Sequence, residues 1–217
     1  MRSMRSVTPL VAMGRSRVLP VLVLDDVRHA VAVATALRAG GLPIAEVTLR
    51  SRYALEVLRE MSSVDDVMVG AGTVTRPEQV ERVLAAGGRF AVSPGFSPGL
   101  VRECHRQGLP ILPGVATPTE LQAALDAGVD TVKFFPAAAS GGVRMVRAMS
   151  APFPHVRMVP TGGITAAGMS EYLALPTVLA VGGTWLAPAE WVCAGRYDLV
   201  ELAARDASKR VLEEVSV

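Results

Sequence analysis

Short apolar runs alternate with longer segments of helical spacing from about residue 18 to the end of the chain. Eight of these runs have the length of a strand: Val18–Leu24, Ile44–Leu49, Val67–Gly70, Phe90–Val92, Ile111–Leu112, Thr131–Phe135, Val156–Val159 and Val178–Val181. Strands that alternate with helices form parallel sheets, and eight such pairs are the number that closes a (β/α)8 barrel. The pattern therefore predicts an α/β fold, a TIM barrel, in one domain spanning residues 1–217.

Helical segments fill the intervals between these runs. The clearest are Val27–Ala39, Arg52–Met61, Pro77–Ala86, Pro118–Ala127 and a closing helix over Asp198–Val215. Proline suits the first turn of a helix and glycine suits its end, and both occur at the boundaries of these segments. Residues 1–16 are expected to include a short N-terminal lead-in helix, with Met1 and Met4 both open as the start.

Composition limits the classes of partner. Half of the 217 residues are hydrophobic and the formal net charge is only +2, with the arginines scattered along the chain. A nucleic-acid-binding surface needs a basic face or stripe, so we expect no nucleic-acid partner. The apolar stretch near the start is too short to span a membrane, and two cysteines without CxxC spacing favour free thiols in a reducing compartment. We therefore expect a cytoplasmic protein with no membrane partner.

Lysine is rare in this chain. Only Lys133 and Lys209 among the 22 basic side chains are lysines, and Lys133 lies in the apolar run Thr131–Phe135. Arginine stays protonated under essentially all conditions, whereas a lysine in an apolar environment can lose its proton and act as an amine nucleophile. Lys133 is therefore a candidate for Schiff-base chemistry. The alternative is a lysine with a buried stem and a solvated head, and position alone leaves both interpretations open.

The second strand carries polar residues on one face only. Side chains alternate between the two faces of a strand, so Glu46, Thr48 and Arg50 share one face and Val47 and Leu49 the other. The apolar face must pack on helices, which directs the polar face into the barrel. A carboxylate there is costly unless it is paired or used. It is either a structural ion pair with the arginine on its face or a general acid/base below that arginine, which then binds an anion.

The sixth strand has the same alternation. It places Thr131, Lys133 and Phe135 inward and Val132 and Phe134 outward. An inward lysine and the inward carboxylate of the second strand are then expected to converge inside the barrel, near the carboxyl ends of the strands, where the active sites of barrel enzymes lie.

Three glycine-rich segments follow predicted strands. Gly70–Thr73 ends the third strand, where glycines let a ligand approach the backbone and the threonine adds a hydroxyl, although plain turns look similar. Pro160–Gly163 and Gly182–Thr184 follow the seventh and eighth strands. Loops at these two places often bind phosphate in barrel enzymes, so we expect a phosphate site there rather than plain turns.

No metal ion or cofactor is expected. His29, His105 and His155 lie away from the predicted strand ends, and no pair of them has metal-ligand spacing. Asp25 and Asp26 follow the first strand and are better suited to cap the first helix than to bind magnesium.

Six motifs in order along the chain resemble one known family. They are Ala45-Glu46-Val47-Thr48-Leu49-Arg50, Gly70-Ala71-Gly72-Thr73-Val74, Ser93-Pro94-Gly95, Pro113-Gly114-Val115-Ala116-Thr117, Lys133-Phe134-Phe135-Pro136 and Pro160-Thr161-Gly162-Gly163-Ile164. Together they resemble the 2-keto-3-deoxy-6-phosphogluconate (KDPG) aldolases, the class I aldolases of the Entner–Doudoroff pathway. The resemblance covers the chain from about Val18 to its end.

The resemblance implies a role for each matching residue. Lys133 would be the Schiff-base lysine and Glu46 the general acid/base. The substrate-binding residues would be Arg50 and Thr73 for the pyruvyl carboxylate, Pro94 and Phe135 for the pocket wall, and Thr161, Gly162, Gly163, Gly182, Gly183 and Thr184 for the phosphate side.

The resemblance also implies a reaction. A metal-independent carbon–carbon lyase would cleave 2-dehydro-3-deoxy-6-phosphogluconate, a small phosphorylated keto acid, to pyruvate and D-glyceraldehyde 3-phosphate, with 4-hydroxy-2-oxoglutarate as a second candidate substrate. Relatives that act on the C4 epimer carry an apolar residue at the position of Thr161, which favours the gluconate form here. The resemblance further implies a homotrimer.

Two other functions fit the same residues. In a phosphate-binding isomerase, Glu46 and Lys133 would be an acid/base pair without a covalent step. A phosphate-sensing barrel would bind phosphosugars without turnover. Trapping of a pyruvate adduct on Lys133 distinguishes the aldolase from both alternatives.

Overall fold

The computed structural model describes residues 7–215, which contain nine strands and ten α-helices in near-regular alternation. The strands are β1 (Val18–Leu22), β2 (Ile44–Thr48), β3 (Met68–Gly72), β4 (Ala91–Val92), β5 (Ile111–Leu112), β6 (Gly114–Val115), β7 (Thr131–Phe134), β8 (Arg157–Pro160) and β9 (Val181–Gly183). The helices are α1 (Pro9–Ser16), α2 (Ala30–Ala39), α3 (Ala54–Ser62), α4 (Gln79–Ala85), α5 (Pro98–Arg106), α6 (Pro118–Asp126), α7 (Gly142–Ser150), α8 (Met169–Leu173), α9 (Ala189–Cys193) and α10 (Tyr197–Val215).

All strand pairs are parallel. Six strands form a curled sheet in the order β5-β4-β3-β2-β1-β9, and three form a second sheet in the order β6-β7-β8. Only Pro113 separates β5 from β6, and its carbonyl accepts a hydrogen bond from the backbone N–H of Lys133 (2.8 Å). Parallel bridges join Met158 to Val178 and Thr161 to Gly182 on the other side of the second sheet. The predicted α/β architecture is therefore confirmed.

Most strand bounds lie within two residues of the predicted ones, and two of the predicted runs show a further difference. The fifth predicted run continues past Pro113 into β6, and the interruption falls at a residue that has no N–H to donate. The eighth run was expected over Val178–Val181. It starts as a single bridge at Val178 and becomes a strand only at Val181–Gly183.

The predicted helices form, with shifts at their first turns. The segment over Val27–Ala39 begins as a 3-10 turn, and the Asp26 side chain caps that turn by accepting a hydrogen bond from the backbone N–H of Arg28 (2.9 Å). Pro118 lies in the first turn of α6, as predicted. The lead-in helix is present as α1. Residues 1–6 of the lead-in, and with them the choice of start, lie outside the described residues.

An apolar cluster fills the inside of the curled sheet near the first residues of its strands. Its members are Val7, Ala12, Met13, Leu19, Ile44, Met68, Phe90, Val92, Leu112, Val159 and Ala180. Helix α1 packs against β1 and β2, so it closes this end of the interior. A second and larger cluster joins the outer faces of the strands to the helices. The inside of the sheet is therefore dry at one end, and its polar residues lie towards the carboxyl ends of the strands.

Helix α10 packs closely on α2. A Cβ at Gly40, just after α2, would lie 2.5 Å from the Ala204 side chain and 2.6 Å from the Glu201 carbonyl oxygen, so only glycine permits this contact. Even α10 is too polar to cross a membrane, and every other helix of residues 7–215 likewise fails on length or apolarity.

The closure of the interior by α1 can be tested with Met13→Ala. Met13 is 1% exposed, and truncating a buried methionine costs about 2–5 kcal/mol because a cavity remains. We expect the midpoint of urea unfolding to fall with an unchanged m value. Leu10→Ala is the control, because Leu10 lies on the same helix but is 37% exposed. Equal losses in the two variants would contradict the role of α1 as a buried plug.

Candidate active site

Lys133 on β7 and Glu46 on β2 form a buried ion pair. The Lys133 Nζ lies 3.2 Å from Glu46 Oε1 and 3.4 Å from Oε2, and the two side chains are 7% and 1% exposed. The structure thus brings together the two side chains that strand alternation predicts to converge. The lysine head is therefore buried against a carboxylate and is not solvated at the surface.

Arg50 lies apart from this pair. It is exposed in the turn after β2, and no ion pair between described residues joins it to Glu46. The interpretation of Glu46 and Arg50 as a structural ion pair is therefore wrong. An arginine left exposed beyond the strand end is available to an anionic ligand.

The other residues of β2 and β7 follow the predicted alternation. Val47, Val132 and Phe134 belong to the cluster between the sheet and the helices. Thr48 is buried on the inner face, and its hydroxyl donates a hydrogen bond to the Leu22 carbonyl oxygen (2.9 Å). The Thr48 hydroxyl thus has a backbone partner, and the charged groups of the inner face of β2 and β7 are those of Glu46 and Lys133.

Gly72 makes room for the Glu46 carboxylate. A Cβ at Gly72 would lie 2.1 Å from Glu46 Oε1 and 2.6 Å from its Cδ. The backbone of Gly72 has no left-handed φ, so space rather than conformation requires glycine at this position. The sequence suggests that the glycines of this segment admit a ligand. The structure shows that Gly72 admits a carboxylate of the chain itself.

Phe135 lies beside the ion pair. Its ring centroid lies 5.2 Å from Lys133 Nζ, within the range of a cation–π contact. A Cβ at Gly162 would lie 3.1 Å from that ring. Phe135 therefore connects the lysine to the glycine loop that follows β8.

The two glycine loops predicted for phosphate lie side by side. Thr161 and Gly182 form a parallel bridge, and a Cβ at Gly182 would lie 2.2 Å from Thr161 Oγ1. Thr161 is 6% exposed, and its hydroxyl donates to the Val159 carbonyl oxygen (3.3 Å). Gly162 and Gly163 have φ values of 100° and 76°, which favour glycine. The loop after β8 thus needs glycine for its conformation, and the end of β9, which contains Gly182 and Gly183, needs it for its close contacts.

The remaining predicted site residues are partly or fully exposed. Thr73 follows Gly72 directly, is partly exposed and has a positive φ of 56°. Pro94 and Thr184 are exposed. The carbonyl oxygen of Pro94 would lie 2.2 Å from a Cβ at Gly114, so the loop after β4 packs directly on β6.

Two residues of the site are missed by strand alternation. One is Gly72 as the neighbour of Glu46. The other is Trp185, whose ring lies against Gly183. A tryptophan two residues after a glycine pair is the only sequence signal for this second contact.

The two cysteine thiols and the metal-binding side-chain types contribute no further reactive group among the described residues of this site. Burial raises the pKa of the Cys104 thiol to about 11, so it stays protonated at neutral pH. Cys193 is an exposed free thiol. Within residues 7–215, no three His, Cys, Asp or Glu side chains are grouped so that they could hold a metal ion.

The arrangement is suited to covalent amine chemistry. A buried amine that gives its proton to a neighbouring carboxylate becomes a nucleophile, and the carboxylate can then return a proton to the reacting group. Phe135 shields one side of the amine from solvent. The paired glycine segments lie next to each other at the ends of β8 and β9, the place where barrel enzymes often bind phosphate.

Comparison with known proteins finds similarity over most of the chain. The family model for KDPG and KHG aldolases matches residues 11–203. The chain is 45% identical to the 2-dehydro-3-deoxy-phosphogluconate aldolase of Dickeya dadantii, over 88% of this chain and 90% of that protein. It is 44% identical to the KHG/KDPG aldolase of Escherichia coli K12, over 88% and 90%. The crystal structure of a Legionella pneumophila KDPG aldolase, with pyruvate captured as a covalent carbinolamine, superposes with a TM-score of 0.89 at 40% identity and covers 93% of this chain and 98% of that one.

The contact between Gly72 and Glu46 predicts the effect of Gly72→Ala. The added methyl displaces the carboxylate from Lys133, and we expect the free energy of unfolding to fall by about 1–3 kcal/mol. Urea unfolding measures this loss. Gly99→Ala is the control, because a Cβ at Gly99 in α5 meets no atom closer than 4.0 Å. A Gly72→Ala protein as stable as the Gly99→Ala protein would contradict the close contact.

Proposed function

The chain belongs to the KDPG and KHG aldolase family, and on this premise we propose that it is a class I aldolase that cleaves 2-dehydro-3-deoxy-6-phosphogluconate to pyruvate and D-glyceraldehyde 3-phosphate. The observation that carries this proposal is the buried contact of Lys133 with Glu46. The pyruvate carbinolamine in the Legionella relative supports the same covalent chemistry.

The reaction begins at the keto group of the substrate. The unprotonated Lys133 amine attacks C2, and loss of water from the carbinolamine leaves an iminium ion. Glu46 removes the proton of the C4 hydroxyl, directly or through a bridging water. The C3–C4 bond breaks, its electron pair moves into the iminium to form an enamine, and D-glyceraldehyde 3-phosphate leaves.

The second half of the reaction starts from the enamine. Its C3 carbon takes a proton, and water hydrolyses the resulting iminium to pyruvate and the free Lys133 amine. Glu46 is the nearest acid to this amine and can return the proton that it removed from C4. Each turnover thus restores both the amine and the carboxylate.

We assign the substrate's two anionic ends to opposite sides of Lys133. The carboxylate is held by Arg50 and Thr73, and support comes from the exposure of Arg50 beyond β2 and from the position of Thr73 next to Gly72. Pro94 and Phe135 line the pocket. The phosphate is held by the loop after β8 and by the adjoining end of β9, and these residues are Thr161, Gly162, Gly163, Gly182, Gly183 and Thr184.

We also propose that the two parallel sheets are parts of one closed (β/α)8 barrel in a single domain. Three features support closure: the single residue Pro113 between β5 and β6, the bridges from β8 to the chain around β9, and an interior cluster with members from both sheets. In that barrel, β5 and β6 count as one strand and Lys133 lies on the sixth.

The proposal extends to the oligomeric state and the cellular location of the protein. The family resemblance implies a homotrimer, which light scattering after size-exclusion chromatography tests directly. The free thiols of Cys104 and Cys193 support a cytoplasmic location, since reducing compartments keep cysteines unpaired.

Lys133→Arg tests the covalent step. Arginine keeps the charge and approximate size but forms no iminium with a ketone, so we expect pyruvate release to fall by at least about a thousandfold. A lactate-dehydrogenase-coupled assay measures it. Lys209→Arg is the matched control, because Lys209 is the other lysine of the chain and its side chain is 76% exposed. Activity of Lys133→Arg within about tenfold of the wild type would contradict the assignment.

Substrate choice is tested on the two C4 epimers of the phosphorylated keto acid. Thr161 presents a hydroxyl next to Gly182, and we expect the gluconate epimer to have the higher kcat/KM in the same coupled assay. 4-Hydroxy-2-oxoglutarate is assayed beside them as the second candidate substrate. A preference for the galactonate epimer would overturn the role given to Thr161. Epimer interconversion without pyruvate release would instead indicate an isomerase.

A further inference from the structure

The indole ring of Trp185 lies directly against the backbone of Gly183, the last residue of β9. A Cβ at Gly183 would lie 1.5 Å from Cζ3 and 1.9 Å from Cε3 of that ring. Gly183 has no left-handed φ, so other residues could adopt its backbone conformation. The glycine is therefore required by the space that the indole occupies.

Filling this space with an indole carries a cost in free energy. Its Nε1 is buried and has no hydrogen-bond partner among the described residues. A buried donor without a partner costs about 1–3 kcal/mol, a penalty that a phenylalanine or leucine would not incur. The six-membered ring is the part of the indole that contacts Gly183. The buried N–H without a partner is what distinguishes Trp185 from a phenylalanine or leucine at this position.

The β9 end loop, defined as the last two strand residues Gly182 and Gly183 with the following Thr184, is thus held at two adjacent residues. Thr161 Oγ1 occupies the space of a Cβ at Gly182, and the Trp185 ring occupies the corresponding space at Gly183. Successive residues of a strand face opposite sides, so the two contacts hold the loop from opposite faces. A shift of the loop towards either face therefore produces a collision.

We propose that Trp185 is a positioning residue that fixes this loop for the phosphate group of the substrate. The inference rests on the proposed function, in which the loop binds phosphate. Trp185 then acts on the phosphate side of the site and not on the pair of Lys133 and Glu46. No hydrogen bond or ion pair between described residues links Trp185 to Lys133 or Glu46, so its loss weakens phosphate binding and leaves Schiff-base formation intact.

Trp185→Phe tests the proposal. Phenylalanine removes the outer ring and the unpaired N–H, and we expect both KM for the phosphorylated substrate and Kd for inorganic phosphate to rise about tenfold. The pyruvate concentration for half-maximal borohydride trapping at Lys133 should stay within about twofold of the wild type. Trp191→Phe, which replaces the other tryptophan of the chain, is the control and should leave all three values unchanged.

Gly183→Ala changes the other partner of the contact between Gly183 and Trp185. Its methyl collides with the indole, so it should also weaken phosphate binding and spare pyruvate trapping. In the double variant with Trp185→Phe the methyl occupies space that the ring has left, and the loss should be smaller than the product of the two single losses. If Gly183→Ala does not fold, the comparison of Trp185→Phe with Trp191→Phe still decides.

Three results would overturn the proposal. They are an unchanged phosphate affinity in Trp185→Phe, an equal loss of phosphate and pyruvate binding, and independent effects in the double variant. Failure of the proposed function looks different, because the wild type would then trap no pyruvate or release none from the phosphorylated substrate. Phosphate titrations by calorimetry test the role of Trp185 in either case.

Discussion

The ion pair between Lys133 and Glu46 is the interaction on which the rest of the site depends. Two opposite charges lie inside an apolar fold at 3.2 Å, where desolvation opposes them and only close pairing makes burial tolerable. Strands on two different sheets must therefore hold the side chains in register. Helix α1 and the apolar cluster close one end of the interior, so the proposed substrate approaches the pair from the carboxyl ends of the strands.

Glycine serves the site in two physically different ways. At Gly162 and Gly163 the backbone is left-handed, so glycine is required by conformation. At Gly72, Gly182 and Gly183 the backbone is ordinary, and glycine is required because a carboxylate, a hydroxyl and an indole occupy the space of a Cβ. In the second group, Gly72 packs on the Glu46 carboxylate, whereas Gly182 packs on Thr161 and Gly183 packs on Trp185. These positions should tolerate alanine only where the neighbouring side chain also becomes smaller.

Much of the architecture follows from sequence periodicity. Alternating apolar runs predict the parallel strands, and the two-residue period of β2 and β7 places Glu46 and Lys133 on inner faces. Periodicity gives the face of a side chain but not its reach. It therefore left open whether Glu46 forms a structural ion pair with Arg50 or stands apart from it as a general acid/base, and packing across the interior places Glu46 against Lys133. The contact of Trp185 with Gly183 and the break at Pro113 depend on three-dimensional neighbours and local backbone chemistry, which no single-strand pattern contains.

In the proposed reaction, Lys133 forms a covalent adduct through its amine while Glu46 moves protons beside it. Borohydride reduction in the presence of pyruvate, followed by peptide mass spectrometry, measures this adduct directly. We expect a reduced pyruvate adduct on Lys133 and none on Lys209. An unmodified Lys133, under conditions that trap a known class I aldolase, would contradict it.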